Sequence, residues 1–141
     1  MTFNELSVYF EKLEETSSRL SLIDIISDLF KKLQKDEVEK VIYLMQGRVA
    51  PFYAPIELGM ADKMVATSIA LAFSEKREDV LSEDRKKGDL GLVAQSMYKK
   101  NLFHGNEIEI GDVFEKLLEI AQTSGEGSVE KKTTMLSELL T

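Results

Sequence analysis

The sequence predicts an all-α protein of about seven or eight helices. Apolar residues recur at intervals of three and four along most of its length, which is typical of helices that bury one face. Serine, aspartate or glycine stands where these patterns begin or end, as helix boundaries favour. Only Ile108 and Ile110 alternate as strand residues would, and two positions are too few to build a sheet.

Three helices are predicted before the first proline. The first has an apolar face formed by Phe3, Leu6, Phe10 and Leu13. Ser17 or Ser18 would cap the second helix, whose predicted apolar face consists of Leu20, Ile23, Ile26, Phe30 and Leu33. Asp36 would cap the third, with an inward face of Val38, Val41, Ile42 and Met45. Gly47 would end it, before an irregular loop bracketed by Pro51 and Pro55.

The remainder of the chain is predicted to continue as helices. Small apolar residues after Leu58 favour close helix packing, whereas the highly charged residues 75–87 form either a solvated helix or a mobile connector. Asp89 is placed to cap the next helix, and a turn at residues 104–106 follows it. A strongly amphipathic helix then contains Val113, Phe114, Leu117, Leu118 and Ala121. The last helix is predicted to begin at Ser128.

Composition excludes several kinds of site. The 141 residues suit one domain, and the absence of cysteine excludes disulfides and thiolate metal sites, which fits a reducing cytoplasm. No apolar run approaches the roughly 20 residues that cross a bilayer, so no membrane partner is expected. A single histidine, His104, leaves little material for metal cages or Ser-His-Asp triads. The sequence therefore predicts no catalytic residue and no metal site.

Three loops that open helices carry the binding hypothesis. They contain Ser17, Ser18 and Arg19; Lys86, Lys87, Gly88 and Gly91; and Gly125, Gly127 and Ser128 followed by Lys131 and Lys132. A helix start offers backbone N–H groups without partners and the positive end of the helix dipole, so it favours phosphate. Several such starts, each beside a basic residue, indicate a surface that follows a sugar-phosphate backbone.

Each loop also has an ordinary structural interpretation. The first could be a hinge between two helices with a solvated arginine, and the third a flexible loop with a serine cap. In the second, the Asp89 carboxylate could occupy the helix start in place of a phosphate, which leaves Lys86 and Lys87 as the better candidates for DNA contact. Lys87 is followed by Gly88, Asp89 and Leu90, and Leu90 stands where the nucleophile motif Lys-x-Asp-Gly has glycine. Lys87 is therefore not predicted to be a nucleophile.

Net charge opposes the binding hypothesis in part. The chain carries −7 at neutral pH, whereas nucleic-acid-binding domains are usually basic. Residues 85–100 nevertheless hold five basic residues against Asp89 alone, a balance of +4. Such a stretch on an acidic protein is expected to bind DNA weakly and with a strong dependence on salt.

Taken together, these segments resemble the N-terminal DNA-binding domain of ATP-dependent DNA ligases, archaeal and bacterial members especially. The resemblance covers nearly the whole chain in order and spacing. It is carried by residues 10–20, 42–51, 57–60, 87–94, 113–117 and 125–128, with Lys131 and Lys132.

The resemblance implies an all-helical domain that grips the minor groove of nicked duplex DNA without reading its sequence. Helix starts and loops would hold phosphates, as minor-groove and backbone contact allows. The phosphate-contact candidates by resemblance are Ser17, Ser18, Arg19, Gly88, Gly91, Gly125, Gly127, Ser128, Lys131 and Lys132.

The resemblance also implies that the chain is incomplete. The family domain continues with further helices and is followed by catalytic domains, which would be partners within the same parent chain. ATP and Mg²⁺ would serve that parent enzyme in replication and repair, with no site for either expected here. The absent helices would cover Met135, Leu136, Leu139 and Leu140, and without them the chain could self-associate through this face.

Two other functions stay open from the residues alone. The chain could be a helical protein-interaction module whose acidic faces meet a basic partner, with loops that are only caps. It could also be a small helical enzyme that uses carboxylates, although no specific acidic pair stands out.

Overall fold

The computed structural model describes residues 1–102 and 104–141, and within these ranges the chain forms eight α-helices. This confirms the predicted all-α fold class. In chain order the helices are α1 (Phe3–Glu15), α2 (Arg19–Lys32), α3 (Lys35–Met45), α4 (Asp62–Phe73), α5 (Arg77–Lys87), α6 (Leu90–Lys100), α7 (Ile110–Gln122) and α8 (Ser128–Leu140). The charged residues 77–87 are therefore a helix rather than a connector.

The helices belong to two units, each with its own hydrophobic cluster. Unit 1 comprises Met1–Glu57 and Glu107–Leu118, and unit 2 comprises Leu58–Asn106 and Glu119–Thr141. Leu6, Tyr9, Leu29, Val41 and Ile110 form the buried cluster of unit 1. Burial of such side chains is the main source of stability in a small helical domain.

The start of the chain is held in unit 1 by backbone contacts. An isolated antiparallel bridge joins Thr2 to Glu109, and the Phe3 N–H donates to the Ile108 carbonyl oxygen at 2.7 Å. The alternation of Ile108 and Ile110, which was the only sign of a strand in the sequence, corresponds to this short extended pairing. The Tyr9 hydroxyl, on a buried ring, donates to the Asp28 carboxylate at 2.9 Å and so ties α1 to α2.

The predicted inward face of α2 is right at Phe30 and Leu33, which pack against the unit 1 cluster, but wrong in the first half of the helix. Leu20 is 76% exposed and Ile23 is 53% exposed, whereas Leu29 is fully buried with Ile25 packed beside it. The helix has apolar residues at two sets of i, i+3 and i+4 positions, and periodicity alone does not tell which set faces the core.

The predicted start and inward face of α3 also need correction. The cap is Gln34 rather than Asp36, with a reciprocal pairing in which the Glu37 side chain accepts the Gln34 N–H at 2.9 Å. Val41 is buried as expected, but Ile42 and Met45 are each 38% exposed.

In unit 2, α4 is the central helix. Its residues Ala66, Ile69 and Ala70 form a buried cluster with Val80 of α5 and Val93 of α6. The small side chains allow the close approach that the sequence predicted. The fully buried Ser68 hydroxyl lies 3.0 Å from the Thr133 carbonyl oxygen, to which it donates, so a polar contact fixes α4 against α8.

The apolar residues near the end of α8 are partly covered within the described part of the chain. Met135, Leu136, Leu139 and Leu140 are all half-buried, and Leu140 packs against the unit 2 cluster. The face is therefore less open than the sequence alone indicated. Self-association through it stays a prediction.

Candidate nucleic-acid interface

Helix α8 begins at a glycine loop whose backbone only glycine adopts readily. Gly125 has φ of 90° and Gly127 has φ of 75°, both in the left-handed region. Gly127 is the N-cap residue, and no side chain accepts a hydrogen bond at this helix start. A Cβ added at either glycine would meet no atom within 4 Å, so backbone conformation rather than crowding favours glycine here. Ser128 is the first residue of α8 as predicted, but the alternative in which this serine caps the helix is wrong, because the N-cap residue is Gly127.

Backbone donors remain available at the start of α8. The Ser128 N–H donates to the Gly125 carbonyl oxygen at 3.2 Å, and the Lys131 N–H donates to the Gly127 carbonyl oxygen at 3.2 Å. The N–H groups of Val129 and Glu130 have no acceptor among the described residues. Unpaired N–H groups at the positive end of a helix dipole can bind an anion such as phosphate.

The two lysines that follow have opposite environments. Lys131 is exposed, and its side chain has no hydrogen bond or ion pair within residues 1–102 and 104–141. Lys132 is only 9% exposed, and its Nζ donates to the Leu58 carbonyl oxygen at 2.9 Å. Lys131 is therefore free to meet a phosphate, whereas the ammonium group of Lys132 already holds the segment before α4.

Carboxylates lie close to this helix start. A surface depression of about 400 Å³ is lined by Gly127, Ser128 and Lys131, and also by Glu119 and Glu126. Phosphate approaching Lys131 would be repelled by these two acidic side chains at the same time. The sequence reasoning missed this, because Glu119 lies in the preceding helix and only the fold brings it near.

The second loop is closed by its own aspartate. Gly88 ends α5 with φ of 74°, and the Asp89 Oδ1 atom accepts the Leu92 N–H at 3.0 Å. A Cβ at Gly91 would lie 2.9 Å from this Oδ1 atom, so glycine there leaves room for the cap. The Asp89 carboxylate thus occupies the start of α6, as predicted by the alternative in which it takes the place of a phosphate.

The lysines of this loop are only partly available. Lys86 Nζ lies 3.4 Å from Glu83 Oε1, whereas Lys87 has no such partner in the described ranges. A depression of about 330 Å³ between α5 and α6 is lined by three lysines and three carboxylates, namely Lys86, Lys87, Lys100, Glu75, Asp79 and Glu83. The local excess of positive charge at residues 85–100 is therefore offset by Glu75, which precedes α5, and by two acidic residues of α5.

The first loop lies in unit 1. Ser18 caps α2, with its Oγ accepting the Ser21 N–H at 3.5 Å. Ser17 and Arg19 are exposed, and the Arg19 guanidinium has no partner among the described residues. The serine cap thus leaves a free cation at the first turn of α2.

No group of three or more His, Cys, Asp or Glu residues in the described ranges could hold a metal ion. None of the described helices is long and apolar enough to span a membrane.

The described residues thus form an all-helical domain in which the start of α8 leaves backbone N–H groups unpaired. Comparison of sequences gives the particular family: the chain belongs to the family described as "DNA ligase N terminus", whose sequence model matches residues 2–141. The ligase resemblance read from the segments is therefore confirmed.

Several proteins named as DNA ligases are similar to nearly the whole of this chain. A probable DNA ligase of Dictyoglomus turgidum is 43% identical over 140 residues, which cover 99% of this chain and 24% of that protein. DNA ligase 1 of Methanosarcina mazei is 41% identical over the same shares. DNA ligase of Sulfurisphaera tokodaii is 39% identical, covering 99% of this chain and 25% of its own length. The chain thus spans about a quarter of each of these relatives.

Proposed function

We propose that this chain binds nicked duplex DNA through the minor groove and phosphate backbone, without reading sequence. In this role it is the DNA-binding part of an ATP-dependent DNA ligase that seals nicks in replication and repair. The observation that carries the proposal is the start of α8, where two left-handed glycines, unpaired N–H groups and the free Lys131 meet. Membership of the ligase N-terminal family supports it.

The other proposed DNA contacts are assigned to basic side chains that have no partner in the described ranges. Arg19 at the start of α2 and Lys87 at the end of α5 are exposed and without side-chain partners in the described ranges, so each can neutralise a phosphate. Ser17 and Ser18 supply hydroxyl groups beside Arg19. The proposal gives smaller roles to Gly88, Gly91 and Lys86, because the Asp89 cap and Glu83 already engage that region. Lys132 takes a structural role.

Acidic residues limit the affinity of the isolated chain. A net charge of −7 and the carboxylates beside Lys131 both oppose the approach of DNA. We therefore expect weak binding that depends steeply on salt. Catalytic domains of the parent protein would contribute further DNA contacts and would bind ATP and Mg²⁺.

Fluorescence anisotropy with labelled duplexes tests the proposal directly. The chain would be titrated with nicked and intact duplexes of the same sequence, and with a second sequence, at several salt concentrations. We expect equal affinity for the two sequences, tighter binding to the nicked form, and a steep loss of affinity as salt rises. Absence of binding at low salt would refute the proposal and favour a protein-interaction module.

A further inference from the structure

The connection between α3 and α4 exposes two neighbouring aromatic side chains. Phe52 is 72% exposed and Tyr53 is 90% exposed, the highest values for aromatic residues in the part of the chain that the structure describes. Both belong to unit 1 and lie outside the three loops considered above. Two adjacent exposed rings offer an apolar surface whose burial by a partner would be favourable.

The loop that carries these rings is held in place. Arg48 Nε donates to the Ala50 carbonyl oxygen at 3.1 Å, and its Nη2 donates to the Pro51 carbonyl oxygen at 3.2 Å. The guanidinium carbon lies 4.6 Å from the centroid of the Phe52 ring, within the range of a cation–π contact. Val49 and Ala50 are buried beneath. The Phe52 ring is thus held against Arg48, so a partner that covers it would lose little affinity to ordering it.

The single positive charge of this loop favours an anionic partner. Between residues 46 and 56 the only charged side chain is Arg48, in a chain whose net charge is −7. Guanidinium has five N–H donors, and two of its nitrogens are engaged by the loop carbonyls, so others remain for a phosphate. Flat rings beside a cation with free donors match a nucleotide, which has a base to stack and a phosphate to bind.

We infer that Phe52 and Tyr53 form a stacking platform for an unpaired nucleobase, with Arg48 contacting the adjoining phosphate. The inference rests on the proposed DNA-binding function and adds a second kind of contact, made to bases rather than to the backbone. Stacking on aromatic rings tolerates any base, because every base has a π-face. The platform is therefore compatible with recognition that does not depend on sequence.

The test compares two duplexes that differ only in bases. Each has the same three-nucleotide overhang, but in one the overhang is abasic, so the number of phosphates is unchanged. We expect the chain to bind the base-bearing overhang about five- to a hundred-fold more tightly, as stacking of one base allows. Phe52→Leu and Tyr53→Leu should each reduce this ratio without changing affinity for the abasic duplex. Tyr98→Leu, in unit 2, is the matched control and should leave the ratio unchanged.

The outcomes separate this inference from the proposed function. Equal affinity of the unmodified chain for both overhangs, together with salt-dependent binding to nicked duplex, would overturn the stacking platform and leave the proposed function standing. The stacking platform would also be overturned if neither leucine substitution reduced the ratio of the affinities for the base-bearing and abasic overhangs. Failure to bind every duplex at low salt would overturn the two together.

Discussion

Lys131 and Lys132 are consecutive but have opposite environments, and one pair of substitutions tests the different roles that we propose for them. Replacing each by methionine removes the ammonium group and keeps an unbranched chain. Lys131 is exposed and without a side-chain partner in the described ranges, whereas Lys132 Nζ donates to the Leu58 carbonyl oxygen from a buried position. We expect Lys131→Met to weaken DNA binding alone and Lys132→Met to lower stability alone.

The magnitudes follow from these environments. Loss of one phosphate contact should reduce the slope of log affinity against log salt by about 0.9. Between roughly 50 and 200 mM salt, the affinity of the variant should therefore fall about 3.5-fold less than that of the unmodified chain. A hydrogen bond from a buried ammonium group contributes about 1.5–3 kcal/mol to folding. For a chain of this size, that corresponds to a fall in melting temperature of roughly 5–12 °C.

Two assays on the same preparations check both halves of the prediction. Anisotropy across salt gives the slope for each variant, and thermal unfolding followed by circular dichroism gives the melting temperature. Binding should be measured well below the melting temperature of Lys132→Met. The reasoning fails if Lys132→Met, while folded, lowers the salt slope as much as Lys131→Met does, or if Lys132→Met melts like the unmodified chain.

Three further substitutions test other parts of the structure. Glu126→Gln should raise DNA affinity by a few-fold, measured by anisotropy, because it removes a repelling carboxylate beside Lys131. Ser68→Ala should lower the free energy of unfolding by about 1 kcal/mol in urea titration, because it removes the buried contact to the Thr133 carbonyl. In the native protein the Tyr9 hydroxyl, with Lys32, lowers the pKa of Asp28, so Tyr9→Phe should raise that pKa in an NMR titration.

The last of these substitutions also has a defined pH dependence. Because the pKa of Asp28 is lower in the folded protein than in the unfolded chain, this carboxylate contributes stability above its unfolded pKa. That contribution is lost as pH falls through the folded pKa. The stability difference between Tyr9→Phe and the unmodified chain should therefore be largest near neutral pH and shrink in acid. A difference that stays constant down to acidic pH would contradict the assigned cause.

The sequence was sufficient for the fold class because spacing and caps agree locally. Ser18 and Asp89 cap helices where predicted, since the residues that stabilise a helix start act on backbone groups a few positions away. The inward face of α2 was not predictable in the same way. Leu20 and Leu29 are equally apolar, and only contacts with other helices decide which one is buried.

The candidate site shows the same division between local and distant causes. The left-handed glycines at 125 and 127 could be expected from their position before a helix. The different roles of Lys131 and Lys132 could not, because the carbonyl that binds Lys132 belongs to Leu58, 74 residues away. The carboxylate of Glu119 near Lys131 likewise depends on how α7 leads into α8.

Two hydrogen bonds restrict the motion of α8, one between Lys132 and Leu58 and the other between Ser68 and Thr133. Both are made within the first two turns of the helix, so the end proposed to meet DNA is also an end that the protein holds still. Because unwinding of this stretch would break both contacts, its intrahelical amide hydrogens should exchange slowly with solvent even before DNA is added. Loss of either hydrogen bond would then appear first as faster exchange in this stretch, ahead of any change in the rest of the fold.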